Sequence, residues 1–442
     1  MLPLTSNKIL EILNLNQPIT NATITNISTD SRTITPSSLF IAIKGENFDG
    51  HDFISDVINK GAPLVISQKE IPNIDKSKII IVDDTLKAFG KLAHYNRMQY
   101  KGTLIALTGS SGKTTTKEEL KHTLSAFGPT YATSGNFNNH IGVPRSLLDI
   151  DMDSKFAIIE MGMSALFEIS YLTSLATPDI ALVTNVYPMH IEFLKTTENI
   201  AIAKSEIFEG LSSSGIAIYN KDTLHSDIIK SNALQHTKNV YSYSKEEYQN
   251  IPLNLRDTGI HNYYNAWAVL SVVKALNLDI NTAINALNTF ETPAGRGKKH
   301  HLYINNQNIT LIDDSYSGQP DAVKLAIKSL ANTKTSGRKI ALLGKMAELG
   351  DYSKTAHIEV GQTLKENNID IVIGICEEAK DILSQLSPST TQHYFPSIEG
   401  VADFLISNVL RNDDILLIKG AHYSSQVYKI ANLLKEKYEK IA

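Results

Sequence analysis

The sequence predicts an α/β protein of three domains: an N-terminal α/β substrate domain over residues 1–98, a central parallel-sheet domain over 99–296 and a Rossmann-like C-terminal domain over 297–442. Three observations carry that expectation. Short apolar runs alternate with helical patterns along most of the chain, as in largely parallel sheets linked by crossover helices. One such run, 103–108, leads directly into Gly109-Ser110-Ser111-Gly112-Lys113-Thr114-Thr115 and then a helical pattern. Finally, Thr292-Pro293-Ala294-Gly295-Arg296-Gly297 combines two residue types that end helices, and reads as a hinge.

At 442 residues the chain exceeds one ordinary core, so two to four domains are expected. Its 42% hydrophobic and 20% charged residues fit a globular protein, and a net charge of -4 gives no electrostatic reason for a nucleic-acid or anionic-membrane partner. The single cysteine, Cys376, cannot form an intramolecular disulfide or complete a zinc pair, and in its apolar run it reads as a small buried hydrophobe in a reducing compartment. The first ten residues lack a secretory signal's charged start and apolar core, and no run reaches the roughly 20 apolar residues of a membrane span. A cytoplasmic protein, with monomer the favoured state, is expected.

In the first block, runs at 39–43, 64–66 and 78–83 read as strands between Gly- and Asp-rich turns, followed by a helix over 86–100. The second block holds strands at 103–108, 156–160 and 180–185. The third repeats the alternation with runs at 309–312, 339–343, 371–375 and 414–418, a small open α/β sheet. No repeat or low-complexity tract interrupts them.

The glycine-rich loop is the most informative segment. Between a strand and a helix, glycines let backbone amides converge on phosphate, and the helix N-terminus adds partial positive charge. Lys113 then reaches the β- and γ-phosphates and Thr114 offers a hydroxyl to Mg²⁺. Gly109, Ser110, Ser111, Gly112 and Thr115 complete the cradle, although Leu107 stands where a full Walker A motif has glycine. The central domain is therefore expected to be P-loop ATPase-like. Glu160 ends an apolar strand, where a parallel sheet presents functional groups. His190 follows the run 180–185, and Lys204 opens Lys204-Ser205-Glu206-Ile207-Phe208 on a helical pattern. Alone, each of these is more often a structural or solvated residue.

Taken in order, these motifs resemble the Mur ligase family, ATP-dependent enzymes that add amino acids to the peptidoglycan stem peptide, and most closely its D-alanyl-D-alanine-adding branch. The likeness spans essentially the whole chain. Asp30-Ser31-Arg32 and 39–53, including Lys44, look like the family's uridine-nucleotide substrate domain. Asn136-Phe137-Asn138-Asn139 resembles its substrate-facing segment, His261-Asn262-Tyr263-Tyr264-Asn265 its adenine-side motif, and Ile312-Asp313-Asp314-Ser315-Tyr316 the segment where the C-terminal domain reaches the nucleotide.

The resemblance implies ATP, two Mg²⁺ sites, UDP-N-acetylmuramoyl-tripeptide and D-alanyl-D-alanine. A peptide carboxylate would attack the γ-phosphate to give an acyl phosphate, and the dipeptide amine would then displace phosphate. Catalysis of this kind rests on positioning and charge stabilisation. Lys113 would neutralise phosphoryl charge, with Arg296 joining it on domain closure; the other reading of Arg296 is a solvated cation beside the basic run Lys298-Lys299-His300-His301. Thr114 or Thr115 would hold the first Mg²⁺ with Glu160, and His190 would help hold the second. Lys204 matches the lysine that the family carbamylates, or else is an unmodified lysine touching phosphate. Carbamylation requires a neutral amine, and an ordinary lysine pKa is about 10.4.

The chain departs from the family pattern at Ser317-Gly318-Gln319, Lys345 and His422, at Tyr187-Pro188-Met189 and at Ala165-Leu166-Phe167. The first three fall in the domain that would receive the dipeptide. A ligase for a different amine, of another Mur or a folylpolyglutamate type, and a non-catalytic nucleotide-binding paralogue are the alternatives. No residue read here distinguishes diaminopimelate from lysine in the tripeptide.

Overall fold

Asn26–Ser28, Ser38–Ile41, Leu64–Ser67 and Ile79–Ile81 lie side by side in that order as a parallel four-stranded sheet. This is a computed structural model, and it describes residues 1–45, 48–256 and 259–440. Glu46 and Asn47 of the substrate-domain motif fall outside the described residues. The three apolar runs of the first block are three of these strands. Asn26–Ser28, three residues with one aliphatic side chain, is too short to register as a pattern.

Asp84 opens the next helix, Thr85–Gln99, by accepting the Lys87 amide at 3.0 Å. The helix packs on Ser6–Leu13 and on two helices of the following sheet, Gly142–Leu148 and Glu168–Ala176. One apolar cluster therefore runs from Ile41 and Ile66 through Leu92 to Leu104 and Ile159. The helix fastens the first sheet to the second.

The second sheet is fully parallel, in the order Asn239–Tyr243, Ile216–Asn220, Ile180–Val183, Thr103–Thr108, Phe156–Glu160, Thr130–Ala132. The strand that begins it in sequence is central, so the chain winds first to one side and then to the other. Its switch point lies at the carboxyl ends of Thr103–Thr108 and its two neighbours, where open α/β sheets hold ligands. Helices cover both faces. Ile260–Ala275 is buried almost all round through Ala266, Trp267, Val269 and Leu270.

The third sheet runs Lys298–Ile304, Gln307–Asp314, Ile415–Lys419, Lys339–Leu343, Ile371–Ile375, Thr391–Phe395. It is parallel except for its first pair, an antiparallel hairpin. The basic run at 298–301 is thus a strand and not a solvated hinge tail: burial alternates along it, with His300, Leu302 and Ile304 inward. Polar residue types at its start hid the period of two. Cys376, expected to be buried, is half-buried just past Ile371–Ile375, in a left-handed conformation (φ 76°). Among the described residues no helix is long and apolar enough to cross a membrane.

Candidate active site

The loop 109–112 joins Thr103–Thr108 to the helix Lys113–Leu124. It is pinned from the neighbouring strand end. Ser111 donates its amide to Asn185 Oδ1 at 2.8 Å, Asn185 Nδ2 returns a bond to the Ser111 carbonyl at 3.0 Å, and Ser110 Oγ accepts the Tyr187 amide at 2.9 Å. Its glycines are needed for two different reasons. A Cβ on Gly109 would lie 1.9 Å from Thr184 Oγ1, whereas Gly112 adopts φ 75° and a Cβ there would meet Asn265 Oδ1 at 2.6 Å. Beyond the loop, the first-turn amides of the helix have no intrahelical acceptor, which leaves them as donors for an anion.

Lys113 Nζ donates to the Gly109 carbonyl at 2.6 Å. Burial lowers its pKa, while the charge of Glu160 pulls the other way. Glu160, 1% exposed at the end of its strand, accepts Asn138 Nδ2 on Oε1 at 2.8 Å, and Thr114 Oγ1 lies 3.5 Å from the same oxygen. Its second oxygen, Oε2, is buried without a hydrogen bond. Such an oxygen beside a threonine hydroxyl suits a hard cation, so the donor set fits Mg²⁺. Among the described residues no three His, Cys, Asp or Glu side chains gather into a metal-binding group, so oxygens from outside that set must complete any such site.

Two further groups close on the loop. Arg296 donates from Nη2 to Thr114 Oγ1 at 3.1 Å, with its guanidinium 4.0 Å from the centre of the Tyr316 ring. The hinge segment around it is stitched to the third sheet: Gly297 donates its amide to Asp313 at 2.8 Å and Tyr316 donates to Gly295 at 3.1 Å. Lys204, 1% exposed on Thr197–Ser205, has no carboxylate partner among the described residues. Burial, and secondarily the charge of Lys113, holds its pKa well below the ordinary lysine value.

Residues 110–115, Glu160 and Arg296 border a cavity of ≈ 960 Å³, whereas Lys204 is not among its lining residues. One wall is the phosphate loop with Asn136, Asn138 and Glu160, and another carries Asn262 and Asn265 on Ile260–Ala275. The third sheet supplies Asp314, which accepts Lys419 Nζ at 2.6 Å, with Tyr316 and His422. His190 is not among the lining residues, but its Nδ1 lies 2.5 Å from Oε2 of Glu348, which is, a contact that lowers the Glu348 pKa. The site thus brings a phosphate cradle, two cations and a buried carboxylate to one space between two sheets.

Profiles of the Mur ligase family match in three parts: the "Mur ligase family, catalytic domain" at residues 23–97, the "Mur ligase middle domain" at 107–281 and the "Mur ligase, glutamate ligase domain" at 301–422. The UDP-N-acetylmuramoyl-tripeptide–D-alanyl-D-alanine ligase of Buchnera aphidicola (subsp. Baizongia pistaciae) is 34% identical, over 93% of this chain and 92% of that protein. The chain belongs to the Mur ligase family. The enzyme of the same name from Escherichia coli K12 is 33% identical over 86% of this chain and 88% of its own. Among solved structures, MurF from Acinetobacter baumannii superposes with a TM-score of 0.88 at 28% identity, covering 99% of this chain and all of that one. MurF ligase from Thermotoga maritima in complex with ADP gives 0.79 at 25% identity, covering 93% and 97%.

Not every residue singled out on the Mur ligase pattern meets at the cavity. Ser31, Arg32 and Lys44 lie on the first domain, away from the phosphate loop. Arg32 is paired with Asp30 (Nη2 to Oδ2, 2.7 Å), and Ser31 offers its carbonyl to Lys60 Nζ at 3.1 Å. Asn139 borders a smaller cavity beside Phe167 and Tyr171, and its Oδ1 accepts the Gly142 amide at 2.8 Å. It therefore also anchors the start of Gly142–Leu148. His422, where the family arginine is expected, stacks on Tyr428 at 4.1 Å between ring centres, and burial lowers its pKa.

Other residues come forward only in three dimensions. Lys117, 0% exposed and one turn beyond Lys113, donates to the carbonyls of Thr133 (2.7 Å) and Gly135 (3.1 Å) and lies 4.0 Å from Glu160 Oε2. It ties the segment 133–135, just before Asn136, to the phosphate-loop helix. Its spacing of four from Lys113 was visible in the sequence, but a helical lysine is ordinarily solvated. Asn185, Tyr316 and Glu348 likewise act through partners distant in sequence.

Proposed function

We propose that the chain joins D-alanyl-D-alanine to UDP-N-acetylmuramoyl-tripeptide at the expense of ATP, as a cytoplasmic monomer that makes a peptidoglycan precursor. The observation that carries this reading is the single cavity in which Lys113, Glu160 and Arg296 meet Asp314 and Tyr316 from the third sheet. The names borne by relatives above 30% identity over most of both chains supply the substrates.

The reaction divides into two displacements. The terminal carboxylate of the tripeptide attacks the γ-phosphorus, ADP leaves, and an acyl phosphate forms. The dipeptide amine, having lost its ammonium proton, attacks the acyl carbon, and the tetrahedral intermediate expels phosphate. Negative charge gathers on the phosphoryl oxygens in the first step. Lys113, in the phosphate loop, and Arg296, which donates to the Thr114 hydroxyl, are the cations to receive it, in a site where burial strengthens each contact.

Glu160 with Thr114 or Thr115 is the pair for one Mg²⁺, and His190 belongs to a second. Bound there, Mg²⁺ screens the triphosphate and withdraws charge from the transferred group. Lys204 is the residue for carbamylation. Its burial without a counter-charge favours the neutral amine that CO₂ requires, and the product is an anion among cations. Asn262 and Asn265 take the adenine side. Asn136 and Asn138 take the peptide, and Ser31, Arg32 and Lys44 the uridine nucleotide. Because acyl phosphates hydrolyse, the meeting of the second and third sheets over the loop also serves to exclude water.

A second reading, a different amine, is favoured by His422, since an imidazole stacked among tyrosines offers no guanidinium fork to a carboxylate. Oxygen-18 placed in the tripeptide's terminal carboxylate tests the main reading. Turnover with D-alanyl-D-alanine should deliver one labelled oxygen to inorganic phosphate. Product formed without label in phosphate would rule out the acyl phosphate.

A further inference from the structure

A buried histidine behind the third-domain wall of the cavity makes two backbone contacts there. The strand Lys339–Leu343 leads into the turn Gly344-Lys345-Met346-Ala347-Glu348, of which Ala347 and Glu348 border the cavity. Glu348 adopts a left-handed backbone (φ 59°), which persists where surrounding contacts hold it. His357, 0% exposed on the helix Ser353–Glu366, holds this turn from behind. Its Nε2 accepts the Met346 amide at 3.3 Å, and its Nδ1 lies 2.7 Å from the Ser353 carbonyl. The turn is also laced to the neighbouring strand end. Gly344 donates its amide to the Lys419 carbonyl at 2.9 Å, and the Lys345 carbonyl accepts the Ala421 amide at 3.0 Å. Ala421 and His422 line the same cavity.

These two contacts decide the form of the ring. A carbonyl only accepts, so Nδ1 carries the proton; an amide only donates, so Nε2 keeps its lone pair. A proton on Nε2 would set two N–H groups against each other and leave the buried Met346 amide unpaired. Burial also lowers the His357 pKa, against the Ser353 bond and the charges of Glu378 and Asp381, while the charge of Lys345 adds to the lowering. We infer that His357 is a positioning residue for the third-domain wall: its Nδ1–H tautomer holds the turn 344–348, and through Lys345 the loop at Ala421 and His422, where the incoming amine would be received. This rests on the proposed function for the identity of that amine. His357 itself is not among the lining residues and acts through Met346. A histidine that only filled the core would affect stability without singling out one substrate.

The test uses the full chain. Nitrogen-15 NMR of the imidazoles near neutral pH, with the His357 signal assigned by its loss in His357→Gln, should show Nδ1 protonated and Nε2 unprotonated. His357→Leu keeps an apolar side chain in the core but leaves the Met346 amide unpaired. It should raise KM for D-alanyl-D-alanine about 10-fold, while ADP affinity, read by calorimetry, stays unchanged. His357→Gln should recover most of the loss, because its side-chain oxygen reaches the Met346 amide, whereas the shorter His357→Asn should not. A wild-type ring protonated on Nε2, or an unchanged dipeptide KM in His357→Leu, would overturn the inference. So would ADP affinity that falls along with use of the dipeptide, since the residue would then serve the fold as a whole. Should His357→Leu prove too unstable to assay, equal KM values in His357→Gln and His357→Asn would overturn it. A wild-type chain that turns over no D-alanyl-D-alanine would instead overturn the proposed function, a failure distinct from that of the tautomer read in the spectrum.

Discussion

Arg296, on the segment between the second and third sheets, donates from Nη2 to the hydroxyl of Thr114 at 3.1 Å, on the first turn of the phosphate-loop helix. The contact spans 182 positions of sequence. It places a cation from the hinge against a residue that also lies 3.5 Å from Glu160. Tyr316 holds the other face of the guanidinium at 4.0 Å. Charge that develops on a transferred phosphoryl group would thus meet a donor already fixed in direction.

Replacing Arg296 by alanine should lower kcat by about 10²- to 10³-fold, the range for removing one preorganised charge-stabilising donor. Arg296→Lys should recover little, since an ammonium has neither the planar fork nor the stacking surface. Steady-state phosphate release with all substrates measures both. Full activity in Arg296→Lys would reduce the residue to a point charge.

Lys204 gives a prediction about stability against pH. Its folded pKa lies well below the unfolded value because the amine is buried and Lys113 is near. Between those two values the unfolded chain binds the extra proton, so this group's contribution to stability rises with pH. The penalty is fully present below the folded pKa and vanishes above the unfolded value of about 10.4. Lys204→Met should therefore raise Tm near pH 6 in CO₂-free buffer, with the gain fading toward pH 10. A gain that does not change with pH would show that the amine is not desolvated.

Two glycines with positive φ, Gly112 in the phosphate loop and Gly135 beyond the strand Thr130–Ala132, should respond unequally. Gly112→Ala combines a left-handed backbone with a Cβ 2.6 Å from Asn265, while Gly135 (φ 52°) has open space around its Cβ position. The backbone strain alone costs about 1–2 kcal/mol for either. Nucleotide binding, measured by calorimetry with ADP, should suffer far more in Gly112→Ala than in Gly135→Ala.

Arg32 separates function from folding. Its side chain is 85% exposed, and its carboxylate partner is two residues away. Arg32→Ala should leave Tm unchanged while raising KM for the uridine-nucleotide substrate with kcat preserved. A fall in kcat equal to the rise in KM would argue against a simple binding role.

What the sequence made legible follows from how local each signal is. The phosphate loop was readable because strand, glycines, lysine and helix are contiguous, and the strands 339–343 and 371–375 because burial on both faces makes them continuously apolar. The hairpin at 298–314 was half missed: its first strand has one buried face and opens on two lysines and two histidines. Edge strands such as Asn239–Tyr243, with a single fully buried residue, gave still less.

At the site, the individual residues could be named from their motifs, but their partners could not. Nothing local shows that Lys117 turns inward to Thr133 and Gly135, that Asn185 grips Ser111, or that Glu348 meets His190. Each contact is fixed by sheet order and by how the third domain docks. The same reasoning explains the departure at His422, whose tyrosine neighbours at 316, 423 and 428 form a stack that only the fold brings together.

Phosphate release from ATP, with Mg²⁺ and UDP-N-acetylmuramoyl-tripeptide present, measured with and without D-alanyl-D-alanine, tests the central claim most directly. The account predicts sustained release only when the dipeptide is added, accompanied by one amide product per phosphate. Release that ignores D-alanyl-D-alanine but responds to another amine would contradict it, and would place the change of substrate in the domain that carries Lys345 and His422.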